Sequence, residues 1–140
     1  MLIAVDFDGT IVQHEYPKIG KEIPFAIETL KRLQREHYHL LVLWTVRDGK
    51  ELDEAVEFCR ARGLEFYAVN ASYPEEVLGE GGLSRKVNAD LFIDDRSLGG
   101  LPDWGVIYQM ITSGKYLEPP SNEIRNEYSN KKKGFFSMFK

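Results

Sequence analysis

The stretch from Leu2 to Thr10 reads Leu-Ile-Ala-Val-Asp-Phe-Asp-Gly-Thr, and its two halves differ in character. Leu2-Ile3-Ala4-Val5 is a continuous apolar run, the pattern of a strand covered on both faces. Asp6 and Asp8 end that run, so polar groups stand at the carboxyl end of the strand. Alternation along an extended chain points Asp6 and Asp8 the same way, with Phe7 opposite. Gly9 lets the backbone turn there and approach a ligand closely.

Working outward, Pro24 opens a segment with Ala26, Ile27, Leu30 and Leu33 at helical spacing. Residues 39–44 form a second buried strand, followed at once by Thr45. Residues 50–62 carry Leu52, Ala55, Val56 and Cys59 on one helical face and stop at Gly63, a helix-ending residue. Residues 66–69 are a short third strand, and 70–85 read as a loop with Pro74 and a glycine-rich cluster at 79–82. Leu91-Phe92-Ile93 is a fourth strand ending in Asp94-Asp95, and 105–108 fit a fifth. Strands alternating with helices predict an α/β fold with a doubly wound, mainly parallel sheet in three layers. Such Rossmann-like sheets bind ligands beyond the carboxyl ends of their strands. Chain order brings Asp6, Asp8, Thr45, Asp94 and Asp95 to that rim, so four acidic side chains are expected to meet there.

Two adjacent carboxylates repel unless a proton or cation intervenes. Mg²⁺ is the natural cation, since it prefers oxygen ligands and keeps several waters. No single element of this set is specific, because acidic pairs often only cap turns and a lone threonine or lysine is usually structural or solvated. The ordered set is more telling. Asp6-Phe7-Asp8-Gly9-Thr10 resembles the first motif of the haloacid dehalogenase superfamily, and Leu43-Trp44-Thr45 resembles the second. Lys86 resembles the third and Ile93-Asp94-Asp95 the fourth, with the resemblance spanning roughly residues 1–110.

The resemblance implies a phosphohydrolase acting on a phosphomonoester, with Asp6 as nucleophile and Asp8 as general acid/base. It implies Mg²⁺ held by the Asp6 carboxylate, the Asp8 backbone carbonyl and the Asp94-Asp95 pair. Thr45 and Lys86 would contact the transferring phosphoryl group. An acid two residues after the nucleophile resembles phosphatases and phosphomutases rather than dehalogenases. Arg47 and Arg96 lie where they would either touch substrate anions or form surface salt bridges, and His14 falls in a flap at 11–23, where it reads first as a solvent-facing loop histidine. Neither that flap nor the 70–85 loop is long enough for a cap domain. An open site is therefore expected, suited to a large substrate or to closure by a neighbouring subunit in a homo-oligomer. A phosphotransferase of the same superfamily and a non-catalytic phospho-signalling module are the alternatives. Receiver domains of the latter kind place their acidic pair on the first strand, which is the reverse of the order here.

With 140 residues the chain has room for one core, expected over 1–118, and a C-terminal extension over 119–140. A net charge of −4 argues against nucleic acid as a partner. The one cysteine, Cys59, excludes an intrachain disulfide and a CxxC metal site. No apolar run approaches the ~20 residues that span a bilayer. The start lacks a signal-peptide pattern, so a cytoplasmic location is expected. The tail at 131–140 joins Lys131, Lys132 and Lys133 to Phe135, Phe136, Met138 and Phe139. It reads either as a solvated basic tail or as a docking segment for a partner subunit or anionic membrane surface.

Overall fold

A computed structural model describes residues 1–77, 86–119, 126 and 129–133 of the chain. The glycine-rich cluster at 79–82 and the aromatic part of the tail at 134–140 lie outside the described residues. The chain divides into two compact units, Met1–Leu101 and Pro102–Lys140, so the boundary expected at 118/119 falls inside the second.

In the first unit the apolar run forms β1 (Leu2–Val5), in which Ile3, Ala4 and Val5 are all buried. Burial of successive residues means that both faces of the strand are covered. β2 (Leu40–Leu43) pairs with β1 in parallel, Val5 standing opposite Leu43. β3 (Ala68–Val69) extends the sheet beyond β2, and β4 (Leu91–Ile93) pairs with the other side of β1. Among the described residues the sheet is thus four-stranded and all parallel, ordered β3-β2-β1-β4. The fold is α/β and Rossmann-like, as the alternation of apolar runs predicts. On one face Ala4, Val42, Ala68 and Val87 form a cluster joined by Trp44 and Phe92. Leu41 and Leu43 are fully buried. Leu43→Ala should cost about 2–5 kcal/mol of stability, seen as a lower urea midpoint with an unchanged slope.

α1 (Ala26–Arg35) buries Ala26, Ile27, Leu30 and Leu33, the three- and four-residue spacing of one helical face. Its start has no side-chain cap from Phe25; instead the Glu22 carboxylate accepts from the Ile27 N–H at 3.3 Å. α2 (Gly49–Ala61) buries Ala55 and Cys59. It ends as Gly63 predicts: with φ +83°, Gly63 donates to the Arg60 carbonyl and Leu64 to the Cys59 carbonyl. That pair of reversed bonds satisfies carbonyls the helix leaves open. Burial pushes the Cys59 thiol up to about 12, so it is an inert core group.

In the second unit, 105–108 are not a fifth strand but part of α3 (Trp104–Thr112). The Asp103 carboxylate caps this helix by accepting from the Gly105 N–H at 2.9 Å. A four-residue window cannot distinguish strand from helix. Over nine residues, the buried Trp104, Ile107 and Ile111, with Val106 and Met110, carry the helical period. No helix among the described residues is long and apolar enough to cross a membrane.

Candidate functional site

The sheet order fixes where chemistry can occur. The chain runs β1, β2, β3 to one side and then places β4 on the other side of β1. The strand order thus reverses at β1, and the carboxyl ends of β1 and β4 lie side by side, the place where open α/β sheets bind ligands. The pairing continues past the strand end, Asp6 N–H donating to the Ile93 carbonyl at 3.0 Å. Asp6 and the Asp94-Asp95 pair are thereby set side by side.

Thr10 joins them. Its fully buried hydroxyl lies 2.9 Å from Asp6 Oδ2 and 3.3 Å from Asp95 Oδ1, and accepts from the Asp95 N–H at 3.1 Å. Gly9 permits the arrangement: with φ +87°, a Cβ there would lie 2.3 Å from Asp95 Oδ2. Asp94 Oδ1 accepts from the Arg96 N–H at 2.8 Å. Asp6, Asp94 and Asp95 each present a carboxylate oxygen within 4.8 Å of the others. The Asp6 carboxyl is pushed up from 3.8 to about 7, chiefly by burial. The Thr10 hydrogen bond pulls the other way, while Asp94 and Asp95 push further upward. Such a cluster is short of positive charge, and its all-oxygen donor set fits a hard divalent cation.

The Asp8 carboxylate does not join this cluster, contrary to the expected meeting of four acidic side chains. It is turned to Arg47, whose Nε and one terminal nitrogen donate to Asp8 Oδ2 and Oδ1 at 2.7 and 2.8 Å. The cation that relieves Asp8 is thus part of the chain itself. Arg47 is only 1% exposed: of the two readings that its position after Thr45 allows, the structure shows the ion pair, buried rather than on the surface. Its remaining donors go to the carbonyls of Pro17, Glu51 and Lys18 at 3.1, 3.3 and 2.9 Å. A guanidinium has five N–H donors, and all are committed.

Thr45 stands half-buried just past β2. Its N–H donates to Asn70 Oδ1 at 2.8 Å, and its hydroxyl accepts from the Arg47 N–H at 3.2 Å. Asn70 holds this loop from the end of β3, in a left-handed conformation with φ +51°. Lys86 is exposed, with Nζ 4.9 Å from the centre of the Phe92 ring on β4. The Arg96 side chain is exposed directly after the acidic pair, and His14 is exposed in the flap. That flap is a narrow hairpin: Gln13 N–H donates to the Lys21 carbonyl at 2.7 Å and Ile23 N–H to the Ile11 carbonyl at 2.8 Å.

A solved structure of a conserved protein from Bacteroides thetaiotaomicron is similar to this chain, with 67% sequence identity and a TM-score of 0.78. The likeness covers 82% of this chain and 92% of that one. The chain belongs to the same family as that conserved protein. No family model and no curated protein matches the sequence.

Sequence reasoning gave two residues of this family member no role, and the geometry puts both at the site. Thr10 was visible only as the last letter of a motif; its bridging of β1 and β4 depends on strand order. Asn70 carried a weak signal, since an asparagine directly after a strand is among the few residues that tolerate a left-handed turn.

Proposed function

We propose that the chain is a Mg²⁺-dependent phosphohydrolase of haloacid dehalogenase type, acting on a phosphomonoester through an aspartyl phosphate on Asp6. The observation that carries this reading is the cluster of Asp6, Asp94 and Asp95 within 4.8 Å, at the carboxyl ends of the adjacent strands β1 and β4. Bound there, Mg²⁺ would offset the repulsion between carboxylate and phosphate and polarise a phosphoryl oxygen. Asp6, Asp94 and Asp95 would hold it, with the Asp8 backbone carbonyl.

The chain's own groups do the rest. An Asp6 carboxylate oxygen attacks phosphorus, and the bond from phosphorus to the ester oxygen breaks. Thr10 holds Asp6 Oδ2 at 2.9 Å, which orients that carboxylate. The Thr45 hydroxyl, accepting from Arg47 N–H, keeps its own hydrogen for a phosphoryl oxygen. Asp8 gives a proton to the leaving oxygen, then takes one from the water that attacks the aspartyl phosphate. Inorganic phosphate leaves and Asp6 is regenerated. Each Asp8 oxygen spends one lone pair on Arg47, so this proton traffic uses the other. Arg96, exposed directly after the acidic pair, and Lys86, exposed beside the Phe92 ring of β4, would supply positive charge to the substrate.

Activity on p-nitrophenyl phosphate should disappear in excess EDTA and return with Mg²⁺ but not Zn²⁺. Return with Zn²⁺ alone would contradict an all-oxygen site. A binding measurement tests the site without turnover. The Asp6 carboxyl titrates near 7 in the folded, metal-free chain against 3.8 as its ordinary value. Its contribution therefore favours the folded state at low pH and is lost as pH rises through about 7. A bound cation removes that penalty where protons no longer compete. Mg²⁺ should raise the thermal midpoint more at pH 8 than at pH 5, and an equal or reversed effect would count against Asp6 as a ligand.

A further inference from the structure

We propose that Arg47 is a positioning residue that couples the flap to Asp8, so that seating of the flap and placement of the Asp8 carboxylate are one event. Three elements converge on its guanidinium. The β1 end contributes both Asp8 oxygens, at 2.7 and 2.8 Å, and the Phe7 ring, whose centre is 5.1 Å from the guanidinium carbon. The flap tip contributes the Pro17 and Lys18 carbonyls and the Tyr16 ring, also at 5.1 Å. The first turn of α2 contributes the Glu51 carbonyl at 3.3 Å.

Among the described residues the flap has little else to hold its tip. Residues 13–18 are exposed, and the hairpin bonds of Gln13 and Ile23 lie at its base. The two tip carbonyls turn inward to accept from Arg47. The side chain of Arg47 is 0% exposed, so water cannot replace a lost partner without the flap lifting. Lifting the flap strips two acceptors and a ring from a buried cation. Removing Asp8 strips its only counter-charge of the bidentate kind. Each change weakens the other contact, and such a linkage must be reciprocal. The catalytic half of this inference rests on the phosphohydrolase reading, in which Asp8 must face the leaving oxygen; the mechanical half does not.

The experiment compares wild type with Arg47→Met, Arg47→Lys and Asp8→Asn. Hydrogen exchange is followed at the flap amides of Gln13 and Ile23, and at the Trp44 and Tyr67 amides, which bond within the sheet. Steady-state kinetics on p-nitrophenyl phosphate with Mg²⁺ are measured in parallel. Coupling predicts that Arg47→Met and Asp8→Asn both speed flap exchange by at least about tenfold, while Trp44 and Tyr67 stay protected. It predicts that Arg47→Met lowers kcat by about 10²-fold or more with KM within about threefold, and that Arg47→Lys recovers part of both losses.

Flap amides that stay protected in both variants would overturn the proposal. Loosening in Arg47→Met but not in Asp8→Asn would also overturn it, since Arg47 would then only prop the flap. A raised KM with unchanged kcat would make Arg47 a substrate-anion ligand instead. If Arg47→Met exposes the Trp44 and Tyr67 amides, its fold has failed and Arg47→Lys, which keeps the charge and stem, decides by the same flap amides. If wild type shows no turnover and Asp6→Asn does not differ from it, the phosphohydrolase reading fails. Flap exchange then still decides the coupling.

Discussion

Asp6→Asn should reduce kcat on p-nitrophenyl phosphate by at least about 10³-fold, because an amide neither attacks phosphorus nor binds a hard cation as a carboxylate does. The substitution is nearly isosteric, and the Thr10 hydroxyl at 2.9 Å can still donate to the amide oxygen. The fold should survive. In metal-free buffer at pH 8 the variant should even unfold at or above the wild-type temperature. The wild-type carboxyl, with its pKa raised to about 7 in the folded chain, is forced to ionise there beside Asp94 and Asp95. Asparagine removes that cost. Lost activity with a retained or raised midpoint separates a missing nucleophile from a damaged core. Activity within tenfold of wild type would remove Asp6 from the role assigned to it.

Gly9→Ala carries the second large effect. A Cβ at this position would sit 2.3 Å from Asp95 Oδ2 and 2.7 Å from Asp95 Cγ, distances that no side chain tolerates. Asp95 is held in place by its N–H, which donates to the Thr10 hydroxyl, and its Oδ1 shares that hydroxyl's one hydrogen with Asp6. Alanine must also adopt φ +87°, at about 1–2 kcal/mol. Displacing Asp95 spoils the three-carboxylate cluster, so activity should fall by about 10²-fold or more, with a weaker apparent affinity for Mg²⁺. Gly49→Ala supplies the control, since Gly49 has φ +51° and nothing within 4 Å of an added Cβ. It should show the backbone cost alone. Equal losses of activity in the two variants would mean that the contact with Asp95 is irrelevant.

The parts of the molecule legible in the sequence were those set by short-range pattern. An unbroken apolar run with acidic residues at its end could only be a buried strand delivering carboxylates to a rim, and β1 is that strand. The placing of Asp94 and Asp95 beside Asp6 followed from the same logic applied to β4. The direction of Arg47 was not legible. A residue two positions beyond a strand can point to solvent or inward, and the choice here depends on Asp8 and on the flap carbonyls, 39 and about 30 residues away in sequence. No local period encodes such a meeting. Helix α3 escapes a four-residue reading for a different reason: its period shows only over nine residues, and its start is marked by the capping Asp103 rather than by the apolar run.

The short outer strand has a consequence for how this protein keeps company with itself. β3 is only two residues long and is followed at once by Asn70 in a left-handed turn. A strand from another copy needs a run of open N–H and C=O groups to add on, and this edge offers almost none before the backbone swings away. The same turn that carries Asn70 to Thr45 therefore also blunts the β3 edge of the sheet against fibre-like stacking.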